Sequence, residues 1–125
     1  HPHMTSFVIA SPEARTELIA GITPFITEFG LATEHPESPD YLADGYWRGP
    51  SWGPSTMLMV IGLDRSGATE KARDLAQSFC RTCARSGFAE NYDALTGAPL
   101  RDRAYTWTAS AYLCLAHWLD RNGGQ

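Results

Sequence analysis

The sequence is short of positive charge, of cysteine and of long apolar runs, and each shortage removes a class of function. Lys and Arg total 10 against 14 Asp and Glu, for a net charge of −4. The cations are scattered, so no surface is expected that neutralises nucleic-acid phosphates or lies on an anionic membrane. No uncharged stretch reaches the roughly 20 apolar residues that a membrane-spanning helix needs. Cys80, Cys83 and Cys114 are an odd number and fall within apolar helical patterns. They are expected to be core thiols in a reducing, cytoplasmic setting, not a disulfide framework. Cys80 and Cys83 form a C-x-x-C late in a helical pattern, and no second pair completes a zinc site. There is no glycine-rich phosphate loop and no calcium-loop pattern, so no cofactor and no metal are expected. No signal peptide is read, and the opening His1-Pro2-His3-Met4 suits a cloning scar or a native start equally.

What is present is a globular composition. Hydrophobic residues are 43% of 125, enough for one domain over residues 1–125 with a core of its own. Helices are expected near 11–22, 54–65, 69–86 and 106–121. Ser11 is a good N-cap, with Pro12 and Glu13 in the first turn, and a short turn over 24–29 is expected to extend that helix. Ala72, Leu75, Ala76, Phe79, Cys80 and Cys83 form a stripe at helical spacing, and Gly87 suits the C-cap. Gly123 is expected to stop the last helix. The first and third helices are amphipathic; the second and fourth are apolar on every face and are expected to be buried all round. That alternation predicts an all-α, two-layer array of outer and inner helices. Strand signals are weak, at residues 6–10 and in a ribbon over 89–100.

The unusual residues gather in two loops, each leading into an inner helix. One is a long irregular stretch over 30–53, ending Tyr46-Trp47-Arg48-Gly49-Pro50-Ser51-Trp52. The other runs from Gly87 through Glu90-Asn91-Tyr92-Asp93 to Tyr105-Thr106-Trp107-Thr108. So long a loop in a compact domain is usually functional, and both loops should emerge on the same rim. Flat aromatic faces pack on the C–H faces of sugar rings, Arg, Asn and Asp beside them bind hydroxyls, and a carboxylate there can activate water. The same pattern also suits a lid over a hydrophobic core, with Glu90 paired to Arg101 or Arg103.

The Y-W-R-G-P-x-W, E-N-Y-D-A-L-T-G and Y-T-W-T-x-S segments, in this order, resemble the C-terminal end of six-hairpin glycosidases. The likeness runs from about Phe7 to Trp118. It is nearest to glycoside hydrolase family 63, with its bacterial glucosidase and glucosylglycerate or mannosylglycerate hydrolase relatives, and extends more distantly to trehalases. It implies a partial (α/α)6 toroid of about two helical hairpins, the C-terminal segment of a catalytic domain. It implies that Glu90 is the general base of an inverting hydrolysis of α-glucosidic or α-mannosidic bonds. Trp47 and Arg48 match the family's substrate-contacting pair, and Tyr46, Trp52, Tyr105 and Trp107 are further candidates for sugar contact. Asn91, Tyr92 and Asp93 are expected to shape the loop. An inverting enzyme also needs a carboxylic acid roughly 6.5–9.5 Å from its base. The resemblance places that acid, an Asp, in a motif upstream of anything in this sequence, and Asp40 and Asp44 do not sit in that motif. The isolated chain is therefore expected to lack activity. It is expected to form a homo-oligomer or to pack on an upstream part of the toroid, and in the alternative to be a non-catalytic, self-associating fragment that at most binds carbohydrate.

Overall fold

A computed structural model describes residues 11–122; the strand expected at 6–10 and the stop at Gly123 lie outside them. Helix α1 spans Pro12–Ile22, α2 Gly53–Arg65, α3 Thr69–Ser86 and α4 Thr106–Arg121. Two small antiparallel hairpins complete the architecture, β1 (Ile26–Thr27) with β2 (Gly30–Leu31) and β3 (Asn91–Tyr92) with β4 (Pro99–Leu100). The chain is thus all-α, with the helices within a residue of their expected bounds.

The local causes are visible at the ends. The Ser11 hydroxyl accepts from the Ala14 N–H at 3.1 Å, satisfying one of the first-turn donors of α1. Residues 24–29 do not prolong that helix. A single 3-10 turn, Thr23–Phe25, leads into the β1–β2 hairpin. Ile26 and Thr27 favour extended backbone, and Gly30 at φ +137° turns the chain where no side chain is tolerated. A Cβ at Gly30 would lie 2.4 Å from Ser51 Oγ. Helix α3 ends at Gly87, whose φ of +79° needs glycine and whose N–H donates to the Cys83 carbonyl at 2.8 Å.

Helices α2, α3 and α4 pack on one another around Phe79, Leu75, Val60, Met59 and Leu115, with Leu31 and Tyr92 closing the ends of the core. Phe79 meets Tyr92 edge-on, with ring centroids 5.6 Å apart. Helix α1 lies outside this layer; it buries only Ile22 and is tied down where Arg15 Nη1 donates to the Ser66 carbonyl at 2.7 Å.

The expectation for the inner helices is half met. Most of α2 is buried. Helix α4 is not buried all round, because it buries Thr108, Ala111, Leu115 and Leu119 and turns Trp107, Leu113 and Cys114 outward. Among the described residues no element lies over that side. Cys83 is buried and Cys80 partly so, whereas Cys114 departs from its expected place in the core.

Candidate active site

The site is built where the long loop and the β3–β4 ribbon meet. Ser51 is the shared rung. Its backbone bridges Ala32 on one side and Tyr92 on the other, and Ser51 and Tyr92 exchange N–H···O bonds of 2.8 and 2.9 Å. This fixes the segment ending in Trp52 against the segment beginning at Glu90. The turn preceding it is closed by Leu42 N–H to Arg48 O at 2.8 Å and Arg48 N–H to Gly45 O at 3.1 Å. Thr33 anchors its far side, donating through Oγ1 to the Pro50 carbonyl at 2.9 Å and accepting from Gly49 N–H at 3.1 Å.

The second loop is held from below. The Tyr92 hydroxyl donates to the Gly87 carbonyl and accepts from Ala89 N–H at 3.2 Å. Asp93 Oδ1 caps the Leu95 and Thr96 N–H groups at 2.9 and 3.2 Å, forming the turn. Glu90 is fixed through its own N–H to the Asp102 carbonyl at 2.7 Å. Thr108, in the first turn of α4, donates to the Ala89 carbonyl at 2.6 Å. Tyr92 and Asp93 thus shape the loop. Asn91 is buried with neither amide atom hydrogen-bonded.

On this frame the Tyr46 hydroxyl donates to Glu90 Oε2 at 2.7 Å. Trp47 stacks on Trp52, with centroids 4.0 Å apart and planes 11° apart, and Tyr46 stands edge-on to Trp52 at 4.6 Å. Trp52 is only 1% exposed and donates through Nε1 to the Tyr46 carbonyl at 2.8 Å. Its indole is therefore a floor beneath Trp47, not a surface offered to a ligand. Trp47 is 39% exposed and Trp107 54%. Tyr105 is half-buried and pairs its N–H with the Phe88 carbonyl at 2.9 Å, beside Glu90. Arg48 is exposed, and no hydrogen bond or ion pair joins it to Glu90 among the described residues. The expected partners of Glu90 are engaged elsewhere. Arg101 pairs with Asp44, Nε to Oδ1, at 3.2 Å, and Arg103 donates to the Pro99 carbonyl.

Sequence reasoning missed the Tyr46–Glu90 bond and the Asp44–Arg101 pair. Both span more than 40 residues and leave no trace in local pattern. The bond to Glu90 holds the Tyr46 phenol above its usual value of 10.0, with smaller contributions from desolvation and from the Glu90 and Tyr105 charges, while Arg101 opposes them. Ionising the phenol would place two anions on one hydrogen bond. Among the described residues no group of three His, Cys, Asp or Glu side chains is arranged to hold a metal, and no helix is long and apolar enough to cross a membrane.

An all-α array of this kind, with Glu90, Tyr46 and Trp47 gathered where the two loops meet, fits a partial (α/α)6 toroid of glycoside hydrolase family 63 type. The family model of the mannosylglycerate hydrolase MGH1-like glycoside hydrolase domain matches residues 7–108, and the chain belongs to that family. It is 41% identical over 87 residues to the glucosylglycerate hydrolase of Mycolicibacterium hassiacum, an alignment covering 69% of this chain and 20% of that protein. It is 33% identical over 91 residues to the mannosylglycerate hydrolase MGH1 of Selaginella moellendorffii, covering 73% of this chain and 18% of that one. The structure is similar to that of the family 63 mannosylglycerate hydrolase from Thermus thermophilus in complex with glucose, with a TM-score of 0.72 and 28% identity. That match covers 84% of this chain and 27% of the other, so the chain spans about a fifth to a quarter of the length of these relatives.

Proposed function

We propose that the chain carries the base-bearing part of an inverting glycoside hydrolase that acts on α-linked glucosides or mannosides, such as glucosylglycerate and mannosylglycerate. Glu90 accepts the proton of the attacking water. The observation that supports this most is the Glu90 carboxylate held by Tyr46 on the same rim as the exposed face of Trp47. Trp47 and Trp107 offer aromatic faces to the sugar, Arg48 and Tyr105 polar groups at its edge, and Trp52 supports Trp47 from beneath. The general acid comes from outside this chain. Free thiols suit a reducing, cytoplasmic setting.

The test is a transplant. Residues 7–108 replace the matching segment of the Mycolicibacterium hassiacum glucosylglycerate hydrolase, and hydrolysis of glucosylglycerate is measured. Glu90→Gln is expected to lower kcat by about 10²–10⁴-fold, the range of a lost general base. The isolated 125-residue chain is expected to hydrolyse glucosylglycerate no better than its Glu90→Gln variant. An active transplant indifferent to Glu90→Gln would end the reading. The outward apolar side of α4 favours a second reading, a self-associating fragment that at most binds sugar, and a folded but inactive transplant would favour it too.

A further inference from the structure

We propose that Tyr46 is a positioning residue for Glu90, clamped by the Arg101–Asp44 pair, and not a contact to the sugar. The inference rests on Glu90 being the base. A base must keep the proton it takes within hydrogen-bond reach, about 2.6–3.2 Å between heavy atoms. A glutamate on a loop has several freely turning bonds and does not hold such a geometry unaided. The Tyr46 bond occupies and restrains Oε2, which leaves Oε1 as the oxygen to receive a proton from water.

The case for a built device is the number of independent contacts on one ring. Tyr46 has φ 65°, a left-handed conformation that a bulky side chain adopts rarely and that persists only where its surroundings impose it. The surroundings do impose it. Trp52 bonds the Tyr46 carbonyl and meets its ring edge-on. On the ring, the Arg101 guanidinium carbon lies 5.0 Å from the centroid. Arg101 is itself at φ 65°, so the two non-glycine residues with positive φ among those described meet at this point. Asp44 holds Arg101 twice, through its carboxylate at 3.2 Å and its carbonyl at 3.1 Å. A cation over the ring draws electron density from it and makes the phenol a better donor to a carboxylate. A hydroxyl reserved for substrate needs none of this apparatus.

The test uses the full 125-residue chain labelled with ¹³C at tyrosine Cζ. The Tyr46 resonance is identified by its loss in Tyr46→Phe, and circular dichroism confirms that each variant is folded. Its titration midpoint is expected above the ordinary 10.0 and should fall in Glu90→Gln. Its shift at pH 7 should move toward that of a water-bonded phenol in the same variant, a reading that needs no alkaline sample. Arg101→Gln separates clamp from charge. Loss of the cation alone raises the midpoint, whereas loss of the clamp lets the phenol leave Glu90 and lowers it. A fall is expected, and also in Asp44→Asn, which keeps the guanidinium. A Tyr46 resonance unmoved by Glu90→Gln, or a rise in Arg101→Gln, overturns the proposal. None of these measurements uses hydrolysis, so they fail or succeed separately from the transplant that tests Glu90 as base.

Discussion

At the scale of single residues, the rim depends on places where two backbones approach too closely for a side chain. Gly49 is the tightest. A Cβ there would lie 2.1 Å from the Leu42 carbonyl oxygen, which is backbone and cannot rotate away. The segment leading to Trp52 and the turn carrying Trp47 would have to separate. Gly49→Ala is therefore expected to lower unfolding free energy by roughly 1–3 kcal/mol, the range for overpacking, and to change the fluorescence of the stacked Trp47–Trp52 pair. Gly21 provides the contrast. It lies within α1 with nothing inside 4 Å of an added Cβ. Gly21→Ala is expected to stabilise by about 0.5–1 kcal/mol through helix propensity. Chemical denaturation of both variants checks the pair of signs.

At the scale of elements, α3 is the central support, and its inward face carries two ionisable thiols. Desolvation pushes Cys83 up to about 11 and Cys80 up to about 12 from an ordinary 9.0, Cys80 also by the neighbouring Cys83 charge. A Cys83 contact with the Tyr92 hydroxyl at 3.4 Å offsets a little of this. Both groups hold their protons more tightly folded than unfolded. Their contribution is thus full below pH 9 and is lost as pH rises through about 9 to 12. The melting temperature is expected to fall over that window, and less steeply in Cys80→Ala. A melt independent of pH up to 11 would contradict it. The helices were legible because caps and 3.6-residue stripes are local: Ser11, the Ala72–Cys83 stripe and Gly87 all act where expected. The β1–β2 hairpin was not, since two-residue strands leave little local pattern and the segment after them is held by the long-range bridge of Ala32 to Ser51. Periodicity likewise misjudged α4, because an apolar face announces that it can be covered, not what covers it. In the rim, residue types suggested Glu90 and the aromatics, but they could not separate Trp47, which faces out, from Trp52 beneath it.

At the scale of the whole molecule, the outward side of α4 leaves apolar side chains in water. Leu113 is 65% exposed, and Cys114 beside it is exposed as well. Each large apolar side chain left in water forgoes roughly 1.5–3 kcal/mol of burial. The chain alone is therefore expected to self-associate at micromolar concentration, as a symmetric dimer or as a trimer that completes six hairpins. Light scattering should give a mass above 13.7 kDa, reduced toward the monomer by Leu113→Glu. A monomer whose melt does not depend on concentration would show that the face is tolerated in water. The Ser51 rung has a further consequence, for chain continuity. It stitches Ala32 to Tyr92 across some sixty residues, while the stretch from 37 to 40 bulges outward, is mostly exposed and lies ahead of the Leu42 and Asp44 contacts of the rim. A cut in that bulge would sever the polypeptide without parting its halves. The molecule would remain one particle made of two peptides, with its rim intact, and new termini or an inserted sequence could be placed there without disturbing Glu90.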